Sequence, residues 1–129
     1  MGSMEPQERL AVVIDDEAII LAGMEIMLET WGFRVVAAED AVTALKALET
    51  APSPAVIVSD YRLRNGGTGV DAVRALREAA GATVPAIILT GDTGAALVAD
   101  AQRDGLTILH KPVLPAELRR EIDRLMDAA

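Results

Sequence analysis

An unbroken apolar run that ends in a carboxylate constrains the fold of this chain more than any other feature. Residues 55–60 have the sequence AVIVSD, with no alternation of apolar and polar side chains before the final Ser-Asp pair. This pattern is typical of a strand that is covered on both faces of a parallel sheet. Segment 61–69 is polar and rich in glycine, which indicates a turn. We therefore predict a buried strand that presents Asp60 at its carboxyl end, where open α/β sheets place their functional groups.

Similar apolar runs alternate with helical patterns along the chain. The runs predict strands over residues 10–14, 34–38, 55–60, 85–90 and 106–110. Helical spacing of apolar residues predicts helices over residues 18–31, 41–50, 70–80, 95–103 and 115–126. This alternation predicts an α/β fold, with one open parallel sheet, helices on both of its faces and right-handed crossovers.

The first two helices carry the clearest signals for their ends and faces. Asp40 is expected to cap the start of the second helix, and Gly32 to end the first. Helical spacing places five apolar residues of the first helix on one broad face: Ile20, Met24, Met27, Leu28 and Trp31. The first helix has more apolar residues than one core face needs. We therefore also expect Ile19 and Ile20, at its start, to form part of an apolar rim beside Asp16.

Composition and charge limit the classes of function. A chain of 129 residues suits one domain, with residues 1–9 as a cloning remnant and lead-in and residues 10–129 as the folded part. The net charge of −8 argues against binding nucleic acid through its phosphates. The chain has no cysteine, and its apolar runs are far too short to span a membrane. We expect a cytoplasmic protein without membrane contact, and the sequence leaves its oligomeric state, monomer or dimer, open.

Polar side chains follow four of the five predicted strands in a chemically coherent set. These residues are Asp15 and Asp16 after the first strand, Asp60 after the third, Thr90 at the end of the fourth and Lys111 after the fifth. Because parallel strands end at one edge of a sheet, these groups are expected to lie close together. Carboxylates that converge in this way suit Mg²⁺, which prefers oxygen ligands. Together with a lysine and a hydroxyl, they suit a phosphoryl group, which a carboxylate can accept as a nucleophile.

The order of these groups resembles the response-regulator receiver domains of two-component signalling. The resemblance covers nearly everything from Leu10 to Met126 and rests on Asp15-Asp16, Asp60, Thr90 and Lys111-Pro112. It implies a flavodoxin-like (βα)5 three-layer sandwich whose five-stranded parallel sheet has the order 2-1-3-4-5. It also implies signalling rather than metabolic catalysis, in a domain that speeds only its own phosphorylation and dephosphorylation.

The resemblance assigns a role to each matching position. Asp60 would be the phosphoacceptor, and Thr90 and Lys111 would contact the phosphoryl group. The Mg²⁺ ligands would be Asp15, Asp16, Asp60 and the backbone carbonyl of Arg62, and the Lys111-Pro112 peptide bond would be cis. The phosphoryl group would come from phosphohistidine of a histidine kinase or a histidine phosphotransfer domain.

Some positions depart from the family's usual pattern. Ile108 stands where the family often has an aromatic residue, and Arg64 where it often has a proline, in a loop that is one residue longer than usual. Arg62 and Asp92 occupy positions that resemble those that set the lifetime of the phosphoryl group. The motifs 60–63, 90–93 and 110–113 are most similar to receivers of hybrid histidine kinases. The single histidine, His110, is expected to be structural.

Two other classes of protein remain open. A Mg²⁺-dependent phosphohydrolase with an aspartyl nucleophile would need a second acid two residues after Asp60, and Arg62 stands there. It would also need a cap domain, for which the chain shows no separate segment. A receiver-like module that only binds a partner would not need the complete acid set. One trial of phosphorylation with a small phosphodonor distinguishes the three.

Overall fold

Five strands and five helices alternate along the chain, as the pattern of apolar runs predicts. The computed structural model describes residues 9–63, 67–91 and 94–128, so Arg64 and Asp92 lie outside the described residues. The strands are β1 (Leu10–Ile14), β2 (Arg34–Ala38), β3 (Pro54–Asp60), β4 (Ala86–Thr90) and β5 (Thr107–His110). The helices are α1 (Ala18–Thr30), α2 (Ala41–Leu48), α3 (Gly69–Ala80), α4 (Ala95–Asp104) and α5 (Pro115–Ala128).

The strands form one parallel sheet in the order β2-β1-β3-β4-β5. This confirms the flavodoxin-like order that the resemblance implied. β3 lies at the centre, where Ser59 pairs with Ile14 of β1 and Asp60 pairs with Leu89 of β4. Because all strands run in the same direction, the residues that follow β1, β3, β4 and β5 meet at one edge of the sheet.

The fold has three layers, because helices cover both faces of the sheet and an apolar cluster fills the space on each face. Alternate residues of each central strand point to opposite faces, so Ile57 belongs to one layer and Val58 to the other. Helices α2, α3 and α4 cover the Ile57 face, with the buried residues Ala44, Val73, Leu76 and Leu97. Helices α1 and α5 cover the Val58 face, with the buried residues Leu28, Leu118 and Ile122. This two-sided burial explains why β3 shows no alternation in sequence.

The helix ends agree with most of the signals in the sequence. Asp40 caps α2, because its Oδ1 accepts a hydrogen bond of 2.7 Å from the backbone N–H of Thr43. Gly32 follows α1 with a φ of 97°, which glycine adopts most readily. Thr68, which the sequence did not identify as a cap, accepts a hydrogen bond of 3.2 Å from the backbone N–H of Asp71. Helix α3 therefore begins at Gly69, one residue earlier than predicted.

The inner face of α1 is narrower than predicted. Leu28 is fully buried, and Met24, Met27 and Trp31 are partly buried, but Ile20 is 41% exposed. Ile20 therefore faces partly outward at the start of α1, where an exposed apolar residue was expected, and its role in an apolar rim stays a prediction. The physical reason is that α1 is apolar nearly all round, so spacing alone does not define which side is buried.

Arginine side chains join neighbouring helices on each face of the sheet, at the end opposite the acids. The guanidinium of Arg119 on α5 lies 5.6 Å from the ring centroid of Trp31 at the end of α1. Arg77 on α3 donates hydrogen bonds to the backbone oxygens of Asp104 (2.6 Å) and Val84 (2.9 Å). The bond to Asp104 joins α3 to the last turn of α4, and the bond to Val84 joins α3 to the segment that leads into β4. Among the described residues, no helix is long and apolar enough to cross a membrane.

Candidate functional site

Asp60 lies at the carboxyl end of the central strand, where the strand leaves the core. Its side chain is 11% exposed, which is enough for a ligand to approach. Its Oδ1 accepts a hydrogen bond of 3.0 Å from the backbone N–H of Tyr61 and lies 2.8 Å from Lys111 Nζ. Both of these contacts fall on the same carboxylate oxygen. Neither of these contacts uses the other oxygen, Oδ2.

Three carboxylates converge at this edge, as the strand-end argument predicts. One carboxylate oxygen from each of Asp15, Asp16 and Asp60 lies within 4.8 Å of the others. Asp15 is only 3% exposed, and its Oδ1 accepts a hydrogen bond of 2.9 Å from the backbone N–H of Glu17. Burial raises the pKa of Asp15 above its ordinary value, the charge of Asp60 adds to this rise, and the Glu17 N–H and Lys111 oppose it.

Lys111 supplies a positive charge at the same edge. The Lys111-Pro112 peptide bond is cis, as the resemblance implied. The backbone N–H of Lys111 donates a hydrogen bond of 2.8 Å to the carbonyl of Thr90, which joins the ends of β4 and β5. Burial would lower the pKa of Lys111. The hydrogen bond and charge of Asp60, with the charges of Asp15 and Glu17, outweigh burial and leave the pKa above its ordinary value.

A cleft of about 200 Å³ opens beside Asp60. It is lined by Asp60, Arg62, Thr90, Gly91 and Lys111. Thr90 is 2% exposed, so its position at the cleft is fixed by the surrounding core. Arg62 has an exposed side chain, and its guanidinium lies 5.8 Å from the ring centroid of Tyr61. The cleft therefore combines a carboxylate, a hydroxyl and two cations, which suits a phosphoryl group.

Two positions that the sequence singled out, Ile108 and His110, are not among the described residues that line this cleft. Ile108, at the position that is often aromatic, is partly buried and packs against the layer beneath α3 and α4. His110 is exposed at the end of β5, where it pairs with Thr90 in the sheet. The predicted role of Asp92 falls outside the described residues.

Two residues beside Asp60 were not predicted from the sequence. The hydroxyl of Ser59 is fully buried and donates a hydrogen bond of 2.9 Å to the backbone oxygen of Asp60. Gly69 donates its backbone N–H to the carbonyl of Tyr61 at 2.7 Å. A polar residue within a buried strand requires a hydrogen-bond partner, and a glycine at the start of a helix indicates close packing. The serine within the apolar run and the glycine at the helix start were therefore the sequence signals that could have identified Ser59 and Gly69.

The acid cluster meets the chemical requirements of a Mg²⁺ site. Asp15, Asp16 and Asp60 bring three oxygen donors together, and oxygen is the ligand atom that this cation prefers. The three carboxylates repel one another, and the single charge of Lys111, which pairs with Asp60, offsets only part of this repulsion. A divalent cation would neutralise the remaining charge. The donor set therefore fits the ion that the sequence predicts.

Comparison with known proteins shows which family the chain resembles in sequence. Residues 11–123 match the family described as "Response regulator receiver domain". The photosynthetic apparatus regulatory protein RegA of Rhodovulum sulfidophilum is 36% identical over 102 residues, covering 78% of this chain and 54% of RegA. The two-component response regulator ORR7 of Oryza sativa subsp. japonica is 25% identical over 117 residues, covering 89% of this chain and 55% of ORR7.

A solved structure extends the similarity to three dimensions. The response regulator receiver domain protein from Clostridium thermocellum has a TM-score of 0.81 and 27% identity, covering 93% of this chain and 95% of that chain. This chain spans about half the length of RegA and ORR7. The expected closer similarity to receivers of hybrid histidine kinases stays a prediction. Because the family match extends over nearly the whole fold, from β1 into α5, this chain belongs to the response regulator receiver family.

Proposed function

We propose that this receiver domain accepts a phosphoryl group on Asp60 from phosphohistidine. The observation that carries the proposal is the position of the Asp60 carboxylate, at the end of the central strand and between Lys111 and two further acids. In the transfer, Asp60 Oδ2 forms a bond to phosphorus as the P–N bond of phosphohistidine breaks. The product is an aspartyl phosphate, and the electron pair of the P–N bond goes to the histidine, which carries a proton on its other ring nitrogen and so leaves as neutral imidazole.

Lys111 and Thr90 would hold the charge that the phosphoryl group brings. Lys111 Nζ already contacts Asp60 Oδ1, and from the same place it can donate to a phosphoryl oxygen. Thr90 lines the cleft and can donate its hydroxyl to a second oxygen. Phosphoryl transfer depends mainly on such positioning and charge stabilisation. We expect the same groups to support slow hydrolysis of the aspartyl phosphate.

Asp15, Asp16, Asp60 and the backbone carbonyl of Arg62 would hold Mg²⁺. When bound, this ion supplies positive charge that offsets the repulsion between the acids and the incoming phosphoryl oxygens. Asp15 is oriented for this role by the N–H of Glu17, and Asp60 by the N–H of Tyr61. These backbone donors fix the two carboxylates before a ligand binds.

The protein donor would be a histidine kinase or a histidine phosphotransfer domain. Exposed apolar side chains that are close in sequence to the site residues support this partner, because Ile19 is 89% exposed, Ile20 41% and Leu114 67%. Ile19 and Ile20 lie in the first turn of α1, and Leu114 lies between Lys111 and α5. Exposed apolar side chains next to a polar site are typical of a protein contact. We also expect the domain to act in the cytoplasm.

Phosphorylation with acetyl phosphate and Mg²⁺, followed by intact-mass spectrometry, tests the proposal. We expect one phosphoryl adduct on the wild type and on Asp123→Asn, which removes an exposed carboxylate of α5. Asp60→Asn should carry none, because it lacks the nucleophile. An adduct of wild-type yield on Asp60→Asn would contradict the assignment. A folded wild type without adduct would favour the binding module, and steady release of product from many small phosphate esters would favour the phosphohydrolase.

A further inference from the structure

The peptide group between Asp60 and Tyr61 is held at both of its ends. Its N–H donates to Asp60 Oδ1 at 3.0 Å and to the carbonyl of Leu89 at 2.9 Å. Its carbonyl oxygen accepts the hydroxyl of Ser59 at 2.9 Å. The same planar group therefore links a buried hydroxyl to the carboxylate of the proposed phosphoacceptor. Because the group is planar, a movement of its carbonyl also moves its N–H.

The Ser59 hydroxyl donates a hydrogen bond to the carbonyl of Asp60, at the point where the pairing of β3 with β1 has ended. Pairing between β1 and β3 stops at Ser59, whereas pairing between β3 and β4 continues to Asp60. A buried carbonyl without a donor is costly, and the Ser59 hydroxyl provides one from within the strand. This explains a polar side chain in an otherwise apolar strand.

Gly69 occupies the space next to the same carbonyl. A Cβ atom at this position would overlap the backbone oxygen of Asp60, and it would lie 2.9 Å from Ser59 Oγ and 3.1 Å from Ile88 Cδ1. Positive φ angles occur at Gly32, Gly81 and Gly105, whereas Gly69 lies within α3. Gly69 is therefore required for close packing rather than for unusual backbone angles.

We propose that Ser59 and Gly69 are positioning residues for phosphotransfer, which fix the 60–61 peptide group so that its N–H orients the Asp60 carboxylate. This inference rests on the proposed function of Asp60. The Ser59 hydroxyl donates a hydrogen bond to the carbonyl of Asp60. Gly69 lets α3 pack against that carbonyl, and its own N–H donates to the carbonyl of Tyr61. A displacement of about 1 Å in a reacting group can slow a reaction on the order of 10²-fold.

The first test compares rates of phosphorylation by acetyl phosphate at saturating Mg²⁺, well below the melting temperature of each variant. Ser59→Ala should slow the reaction about tenfold and Gly69→Ala by roughly 10²-fold, the effect of a displaced reacting group. The matched control is Gly67→Ala, because a Cβ at Gly67 meets no atom of the described residues within 4 Å. It should react at the wild-type rate. Ser59→Thr, which keeps the hydroxyl, should recover most of the rate lost in Ser59→Ala.

A second measurement does not depend on phosphorylation. The amide resonance of Tyr61 in a ¹H–¹⁵N spectrum should move upfield in Ser59→Ala and Gly69→Ala, since its hydrogen bond to Asp60 lengthens, and it should stay in place in Gly67→Ala. If Gly69→Ala does not fold, the rate and the Tyr61 amide resonance of Ser59→Ala test the inference on their own. A folded Ser59→Ala with wild-type rate and an unmoved Tyr61 amide would overturn the inference. A wild type that is never phosphorylated would instead overturn the proposed function and leave the amide shift as the test of positioning.

Discussion

Lys111 Nζ lies 2.8 Å from Asp60 Oδ1, and this contact joins the end of the central strand to the end of β5. Lys111 is 37% exposed, so solvent screens part of the attraction. The pair nevertheless lies beside Asp15 and Asp16, whose negative charges act on Asp60 from the same edge. The positive charge of Lys111 therefore lowers the repulsion within the acid cluster, and in the proposed function the same group would donate to a phosphoryl oxygen.

Lys111→Met should slow phosphorylation by acetyl phosphate on the order of 10²-fold, the usual effect of removing one donor that stabilises developing charge. It should also strengthen Mg²⁺ binding, because a competing cation is lost. Initial rates and a Mg²⁺ titration followed by NMR measure the two effects. Lys111→Arg is the control that keeps the charge. Weaker Mg²⁺ binding in Lys111→Met would contradict this account.

Asp15→Asn should raise the melting temperature at pH 7 in the absence of Mg²⁺. The folded state raises the pKa of Asp15 above the ordinary 3.8, so the folded protein binds this proton more tightly than the unfolded chain does. Stability therefore falls as pH rises from about the ordinary value through the raised one, and the cost is fully present above it. Asn removes this cost and can still accept the Glu17 N–H. Melts between pH 3 and pH 8 should show a smaller loss of stability with rising pH in the variant.

Mg²⁺ should stabilise the wild type by binding to the folded state alone. At ten times the dissociation constant the gain is about 1.4 kcal/mol, which corresponds to a rise of roughly 5 °C in melting temperature for a domain of this size. Thermal melts with and without millimolar MgCl₂ measure it, with NaCl of equal ionic strength as the control. The shift should be strongly reduced in Asp16→Ala. An equal shift in that variant would exclude Asp16 as a ligand.

Ile20→Asp should slow phosphotransfer from a cognate protein donor while leaving the reaction with acetyl phosphate nearly unchanged. The small donor needs only the cleft, whereas the protein donor would also contact the apolar surface beside it. Val42→Asp is the control, since Val42 is 74% exposed on a different helix, α2. If both donors slowed together in Ile20→Asp, or if that variant failed to fold, this docking surface would be wrong.

The strands and the site edge could be predicted because they depend on local patterns. A strand covered on both faces is an uninterrupted apolar run, and the residue that follows it must lie at the sheet edge. Asp15 follows such a run directly, Asp60 comes one residue after it and Lys111 follows the end of the last strand, so the strand pattern places all three at one edge of the sheet. The fold adds their distances and the direction of the pKa shifts of Asp15 and Lys111, which depend on burial and on neighbouring charges.

Other features depend on contacts between distant segments and could not be predicted. Arg74 Nε lies 2.6 Å from Asp104 Oδ2, a contact between residues thirty positions apart. The need for glycine at position 69 arises from the carbonyl of Asp60, which the sequence does not place beside it. The exposure of Ile20 was ambiguous for a different reason, because a helix that is apolar nearly all round gives no periodic signal for its buried side.

Trp31 is the only tryptophan of the chain, and it follows the last turn of α1, whereas the acid cluster lies before the first turn. A helix of 13 residues separates them by about 20 Å. The indole packs beneath Arg119 of α5, so its fluorescence senses the junction of α1 and α5. Ion binding at the acids should leave the emission spectrum unchanged. A change in the intensity of Trp31 fluorescence during phosphorylation would therefore report a movement of α1 relative to α5, about 20 Å from the acids.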